Sequence, residues 1–230
     1  MRKLILVFAA LVVLLVSCDK EDKPLVITQG DYPVKEYYLE RDPKVNVWGA
    51  GMDFVHAECQ LDETDLDYKY MELEDEFPYD VKFYVVKSYY YDTNGDLKNE
   101  GCPAMLLSSE TKICKLGEGV DYFNSLTSIT EEMTAQLVTD PVIDFEQFKN
   151  ETAGFYERAP LFAALDQCAI GQKFRSNILV IPEGKTEQEV QPVYLVKTSE
   201  GAYVKFMVKE FKPAKPKEKQ TLVRWQVVSE

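Results

Sequence analysis

The sequence predicts a mainly β protein: a single antiparallel β-rich domain with one or two short helices. Three observations predict it. β-branched and aromatic residues alternate with polar ones through much of the chain, turn-forming residues interrupt that alternation at short intervals, and helical spacing is confined to the middle. Residues 80–91 read as one long strand, stopped by Asp92, Thr93, Asn94 and Gly95. An Asn-Gly pair supplies the positive φ angles of a tight turn. Near the C-terminus, Val193–Thr198 and Ala202–Phe211 read as strands around the turn Ser199–Gly201. Val204, Phe206 and Val208 share one face of the second, and Lys205 and Lys209 share the other. The Pro- and Lys-rich stretch 212–219 cannot join a ladder, and Thr221–Val228 forms a third strand. Short links between consecutive strands favour an antiparallel meander.

The helical signals lie between these strands. Ser128 with Glu131 has capping-box spacing for a helix to about Leu137, and Pro160 suits the first turn of a helix running to about Ala169. Asp140-Pro141 and residues 150–154 break the pattern between them. No internal repeat or interdomain linker stands out, so residues 31–230 form one domain.

The 230 residues are 46% hydrophobic and 28% charged, enough apolar material for a proper core. The N-terminus reads as a processing signal. Arg2 and Lys3 precede a thirteen-residue apolar run, Leu4–Val16, whose length of about 20 Å is short of a hydrocarbon core of about 30 Å. That is a signal-peptide pattern, and 1–17 is assigned as a lipoprotein signal peptide. Leu15-Val16-Ser17-Cys18 resembles a bacterial lipobox, which makes Cys18 the acylated first residue of the mature chain; an ordinary secretory signal is the alternative. Residues 18–30 then form a lipidated tether, and the charged stretch 19–23 also resembles an outer-face sorting signal. Loss of Arg2 and Lys3 shifts the formal charge from −13 to −15, a surface that repels nucleic acid.

Four cysteines remain, Cys59, Cys102, Cys114 and Cys168. An exported chain with an even count permits two disulfides, Cys102 with Cys114 across a hairpin among them, and free buried thiols are the alternative. The lone histidine, His56, lies in an alternating segment, Met52–Cys59, read as a strand. A two-His metal site is impossible, and a catalytic triad would rest on this one residue. Gly49-Ala50-Gly51 lacks a phosphate-loop context. The acidic run between Asp62 and Glu76 lacks EF-hand order and reads as a solvated face. The sequence therefore predicts no enzyme and no catalytic residue.

Several segments, taken in order, resemble the HmuY-like haem-binding lipoproteins. Tyr79–Phe83 leads to Tyr91–Gly95 and then Gly101–Met105. Leu137–Asp140 resembles a short Val-Thr-Asp segment, and Val193–Phe206 resembles the family's C-terminal hairpin. The resemblance spans about residues 75–230. It implies an all-β lipoprotein that holds haem between two axial ligands and passes it to an outer-membrane receptor. His56 lies upstream of the resembling region, which leaves Met133, Met105 and Tyr156 as axial-ligand candidates, with Cys168 as another side chain able to bind iron. No metal is implied beyond the haem iron. Two functional readings stand: a lipid-anchored outer-membrane, cell-surface protein capturing haem or a related porphyrin for iron acquisition, or a cofactor-free surface lipoprotein binding a protein or glycan.

Overall fold

The computed structural model describes residues 25–40, 46–64, 79–150, 154–174, 181–211 and 219–230. The proposed signal peptide, Cys18, most of the acidic run 62–76 and residues 212–218 of the Pro/Lys-rich stretch lie outside the described residues; Lys219, read with that stretch as unable to join a ladder, does pair, opposite Glu40.

The stretches 80–91, 193–198, 202–211 and 221–228, read as strands, become paired strand almost to the residue, and further strands that the sequence reading did not name join them. In chain order the strands are β1 (Val26–Thr28), β2 (Lys35–Glu40), β3 (Asn46–Asp53), β4 (Glu58–Thr64), β5 (Val81–Tyr91), β6 (Leu97–Leu107), β7 (Lys112–Glu118), β8 (Ser128–Thr130), β9 (Lys149–Asn150), β10 (Phe155–Glu157), β11 (Pro192–Lys197), β12 (Tyr203–Phe211) and β13 (Lys219–Ser229). Five of them form an antiparallel sheet in the order β2-β13-β12-β11-β7. A second sheet runs β4-β3-β5-β10-β9, with β6 on the other edge of β5. β1 and β8 form a separate pair. One pairing departs from the antiparallel expectation: β10 lies parallel to β5, with Tyr156 opposite Ser88. Such a pair needs a long crossover, and residues between β5 and β10 supply it.

The β5–β6 hairpin holds its register from Val81↔Leu107 to Tyr91↔Leu97. At its tip the Asp92 carboxylate accepts the amides of Asn94 and Asp96 at 2.9 and 3.0 Å, and Gly95 takes φ +83°. The Asn-Gly reading thus meets its physical cause, an Asp-closed turn with one left-handed residue.

The two large sheets pack face to face. Met52, Phe54, Val81, Phe83, Met105 and Leu107 from one meet Tyr194, Val196, Val204, Phe206, Val208, Val223 and Trp225 from the other. Each large apolar side chain removed from water there contributes about 1.5–3 kcal/mol before entropy is counted. The Trp225 indole N–H donates to the Phe54 carbonyl at 3.0 Å, and Phe54 touches the Phe206 and Trp225 rings. The opposite face of β6 is also covered: Ala104 and Leu106 pack with Phe148, Tyr156, Leu161, Leu165 and Cys168.

The helices differ more from expectation. The helix read from Ser128 is only Glu131–Thr134 (α2), because residues 128–130 pair with β1; Thr130, not Ser128, caps it by accepting the Met133 amide. The Pro160 helix, α3, spans Arg158–Leu165 and ends four residues short. An unforeseen helix, α1 (Gly119–Ser125), lies over the lysine face of β12. Lys205, 1% exposed, donates from Nζ to the carbonyls of Phe123 (2.9 Å) and Leu126 (2.7 Å), satisfying acceptors at the C-terminal end of α1. Burial pulls the Lys205 ammonium down to about 8.

The Met52–Cys59 segment is a hairpin rather than one strand. β3 ends at Asp53, whose carboxylate accepts the His56 amide at 3.0 Å and binds its ring Nδ1 at 2.8 Å. A short acid at this point turns the chain by offering the backbone a local partner. Cys59, Cys114 and Cys168 are free thiols, so neither Cys102–Cys114 nor any pairing among these three forms. Burial raises Cys59 and Cys114 to about 11 and Cys168 to about 12, leaving them protonated at neutral pH.

Candidate functional site

Two adjoining cavities, about 300 and 290 Å³, open at one end of the sandwich and share Tyr79, Ser108 and Ser109 in their walls. Together they form a groove large enough for a small ligand. Its parts come from loops held on rigid strands: the residues entering β5, the turn leaving β6, the β3–β4 turn, the β11–β12 turn and the segment 140–145.

Asp80 anchors the first cavity. Its carboxylate accepts the Phe54 amide at 2.9 Å, its own amide donates to Met52, and its carbonyl accepts the Ser108 amide. It thereby ties β3, β5 and the β6 turn together. Asp53, Val55, Glu110 and the Thr198–Glu200 turn complete the lining. Burial, only partly offset by the Phe54 hydrogen bond, pushes Asp80 up to about 6. A carboxyl raised in the folded chain is protonated there while its unfolded counterpart has already ionised near 3.8. Its contribution to stability is thus complete below that value and is lost as pH rises to about 6. The span corresponds to about 3 kcal/mol at most. Urea unfolding of the wild type and of Asp80→Asn at pH 4.5 and pH 7 isolates this term. The wild type is expected to weaken relative to the variant as pH rises, and parallel behaviour contradicts the assignment.

Asp140 organises the second cavity. One carboxylate oxygen accepts the Leu107 amide at 2.9 Å and the other the Ala169 amide at 2.7 Å. Burial raises its pKa, against the effect of both bonds. The adjoining Val138 exchanges backbone hydrogen bonds with Ile113. The Leu137–Asp140 segment is therefore a clamp between β6, β7 and the turn after α3. Beyond it Pro141, Val142, Ile143 and Phe145 present an apolar wall, and Val142 is 99% exposed.

The three axial-ligand candidates are not brought together. Met105 is 1% exposed in the core between the sheets, facing Phe83 across the β5–β6 ladder. Tyr156 is 1% exposed under α3, with its ring against Phe145. Met133 packs, partly buried, on a third cluster around Cys114 and Leu195, and its carbonyl accepts the Cys114 thiol. None of the three lines either cavity of the groove. Cys168 does line it, as a buried protonated thiol. Haem also needs partners for two propionates, and the groove lining contains no Lys or Arg. The side chains as placed do not fit an axially ligated haem. Nothing in the sequence marked the groove itself, although Asp80 and Asp140 both fall in the segments that resemble the haem-binding family.

His56 sits exposed at the rim, its ring also 4.0 Å from Glu200. The hydrogen bond and charge of Asp53 raise its pKa. Among the described residues no group of three or more His, Cys, Asp or Glu side chains is placed to hold a metal ion, and no helix is long and apolar enough to cross a membrane.

No family model matches the chain, and no curated protein matches it. Two solved structures are similar to it, both HmuY-like. One is a HmuY-like heme binding protein from Bacteroides vulgatus, 12% identical, with a TM-score of 0.44 over 84% of this chain and 90% of that one. The other is the apo HmuY analog of Tannerella forsythia, 11% identical, with a TM-score of 0.40 over 88% of this chain and 99% of that one.

Proposed function

We propose that this chain is an exported, lipid-anchored binding protein, not an enzyme, that captures an apolar ligand in the groove between Asp80 and Phe145. The carrying observation is that exposed Pro141 and Val142 and partly buried Ile143 and Phe145 line one cavity beside Asp140. Solvent-facing Val142 gains nothing from its position until something covers it. The ligand class supported by the sequence resemblance is haem or a related porphyrin, which this groove would hold by a ring face on the apolar wall and not through an axial ligand. Acylation at Cys18 would hold the protein at the outer membrane, where a receptor could accept the cargo.

Every described element lies between Leu25 and Glu230, so a chain starting at Asp19 keeps them all. Haemin titrated into that chain should give a shifted Soret band, and Val142→Asp should weaken binding about tenfold by placing a charge on the apolar wall. Met105→Leu should leave the spectrum unchanged, because Met105 serves the core. A flat titration moves the assignment to the second reading, a cofactor-free protein- or glycan-binding module. That reading draws its support from the burial of Met105 and Tyr156 in separate clusters.

A further inference from the structure

We infer that His56 is a proton-operated clasp across the mouth of the first cavity: charged, it holds the β3–β4 turn to the β11–β12 turn, and neutral, it lets the two part. The two turns belong to different sheets, and Val55 and Ser199 bring part of the cavity wall from each. The inference concerns the unliganded chain and stands whatever the groove binds.

The histidine is set in place by its own turn. Ala57, next in the chain, takes φ +59°, in the left-handed region that strains an L-residue and favours glycine. Such a backbone persists only where its surroundings hold it. Here Asp80 accepts the Phe54 amide at 2.9 Å, Asp53 accepts the His56 amide at 3.0 Å, and Ala57 packs partly buried on the core between the sheets. The outcome puts His56 Nδ1 2.8 Å from the Asp53 carboxylate and 4.0 Å from that of Glu200 on the other sheet's turn. The carboxyl groups facing the ring are Asp53 on β3, Glu200 on the β11–β12 turn, Glu58 on β4 and Asp80 just before β5. Losing the proton does not break the Asp53 hydrogen bond, since a neutral ring with its hydrogen on Nδ1 still donates. What goes is the positive charge between two acids, which leaves Asp53 and Glu200 to repel across the mouth. The Asp53 hydrogen bond and charge, followed by Glu200, hold the ring's titration above the ordinary 6.5. The clasp is therefore complete below 6.5 and is released as pH rises through the raised value.

His56 is the chain's one histidine, so its imidazole Cε1–H signal is unambiguous in a proton NMR spectrum. The test follows that signal from pH 5.5 to pH 8.5 in the chain starting at Asp19. Exchange of the Gly201 and Ala202 amides, both bonded inside the β11–β12 turn, is followed alongside and corrected for the intrinsic effect of pH. Their protection should fall about two- to fivefold, the worth of one exposed ion pair, with the midpoint of the imidazole and by less at high salt. His56→Gln and Glu200→Gln should each abolish the fall, and Glu200→Gln should also lower the imidazole midpoint. Asp80→Asn should keep it, which separates the ring from the carboxyl that titrates at about 6. Flat protection across the imidazole titration overturns the inference, as does a fall that survives Glu200→Gln. Either outcome leaves the groove reading standing, because haemin titration tests that separately.

Discussion

Gly171→Ala should destabilise the protein by more than about 3 kcal/mol, the largest effect expected of any one-methyl change in the described structure. Two independent costs combine. Gly171 has φ +51°, a left-handed conformation that costs an L-residue about 1–2 kcal/mol. A Cβ there would lie 1.9 Å from the Leu165 carbonyl oxygen and 3.1 Å from Cys168 Cβ. Neither neighbour can yield, because the Leu165 carbonyl accepts the Cys168 amide, and Gly171 exchanges two backbone hydrogen bonds with Met105 in the wall between the two cores. Gly95→Ala is the control. It has φ +83° but nothing within 4 Å of the new atom, so only the conformational cost of about 1–2 kcal/mol applies. Denaturant midpoints for the two variants should separate clearly; equal losses would mean that the turn after α3 relaxes freely.

The second large effect is Asp140→Asn, which should cost about 2–4 kcal/mol and abolish ligand binding in the groove. A carboxylate can accept from both Leu107 and Ala169, whereas an amide turns one acceptor into a donor aimed at an N–H. One buried backbone donor is then left unmatched whichever way the side chain is flipped. The isosteric replacement should therefore be nearly as harmful as Asp140→Ala. Asp144→Asn, four residues on and exposed, keeps its single acceptor contact to the Glu146 amide and should cost under about 1 kcal/mol. If the Asp140 and Asp144 variants melt together, Asp140 is no clamp.

The legible parts of this fold are the local ones. The β5 strand with its Asn-Gly turn and the β11–β12 hairpin were readable because alternation and turn residues are properties of neighbours in sequence; β6, the partner of β5, was not read as a strand. α1 was not. Its apolar residues Val120 and Phe123 span a single turn, and Glu118 offers no side-chain cap. The helix is held instead by Lys205, some eighty residues away. Lys205 itself was readable only as lying opposite Phe206, since alternation assigns a face and not what covers it. The Met52–Cys59 hairpin was missed because a strand pattern continues across a turn made by the Asp53 side chain.

The groove lay beyond reach for the same reason on a larger scale. Tyr79, Ser108, Asp140 and Thr198 meet only after both sheets have formed. Methionine compounds the difficulty: Met105 as a core filler and Met105 as an iron ligand look alike in sequence, and only its place between Phe83 and Gly171 separates them. Asp80 and Asp140 stand in the segments that prompted the resemblance, and each proves to hold backbone that shapes a wall of the groove.

Hydrogen exchange read by mass spectrometry, with and without saturating haemin, asks directly where a ligand sits. Binding in the groove predicts slowed exchange in peptides covering Leu106–Thr111 and Asp140–Phe148, with β12 and β13 unchanged. Protection confined to α2 around Met133 or to β10 around Tyr156, with the groove peptides untouched, would contradict it.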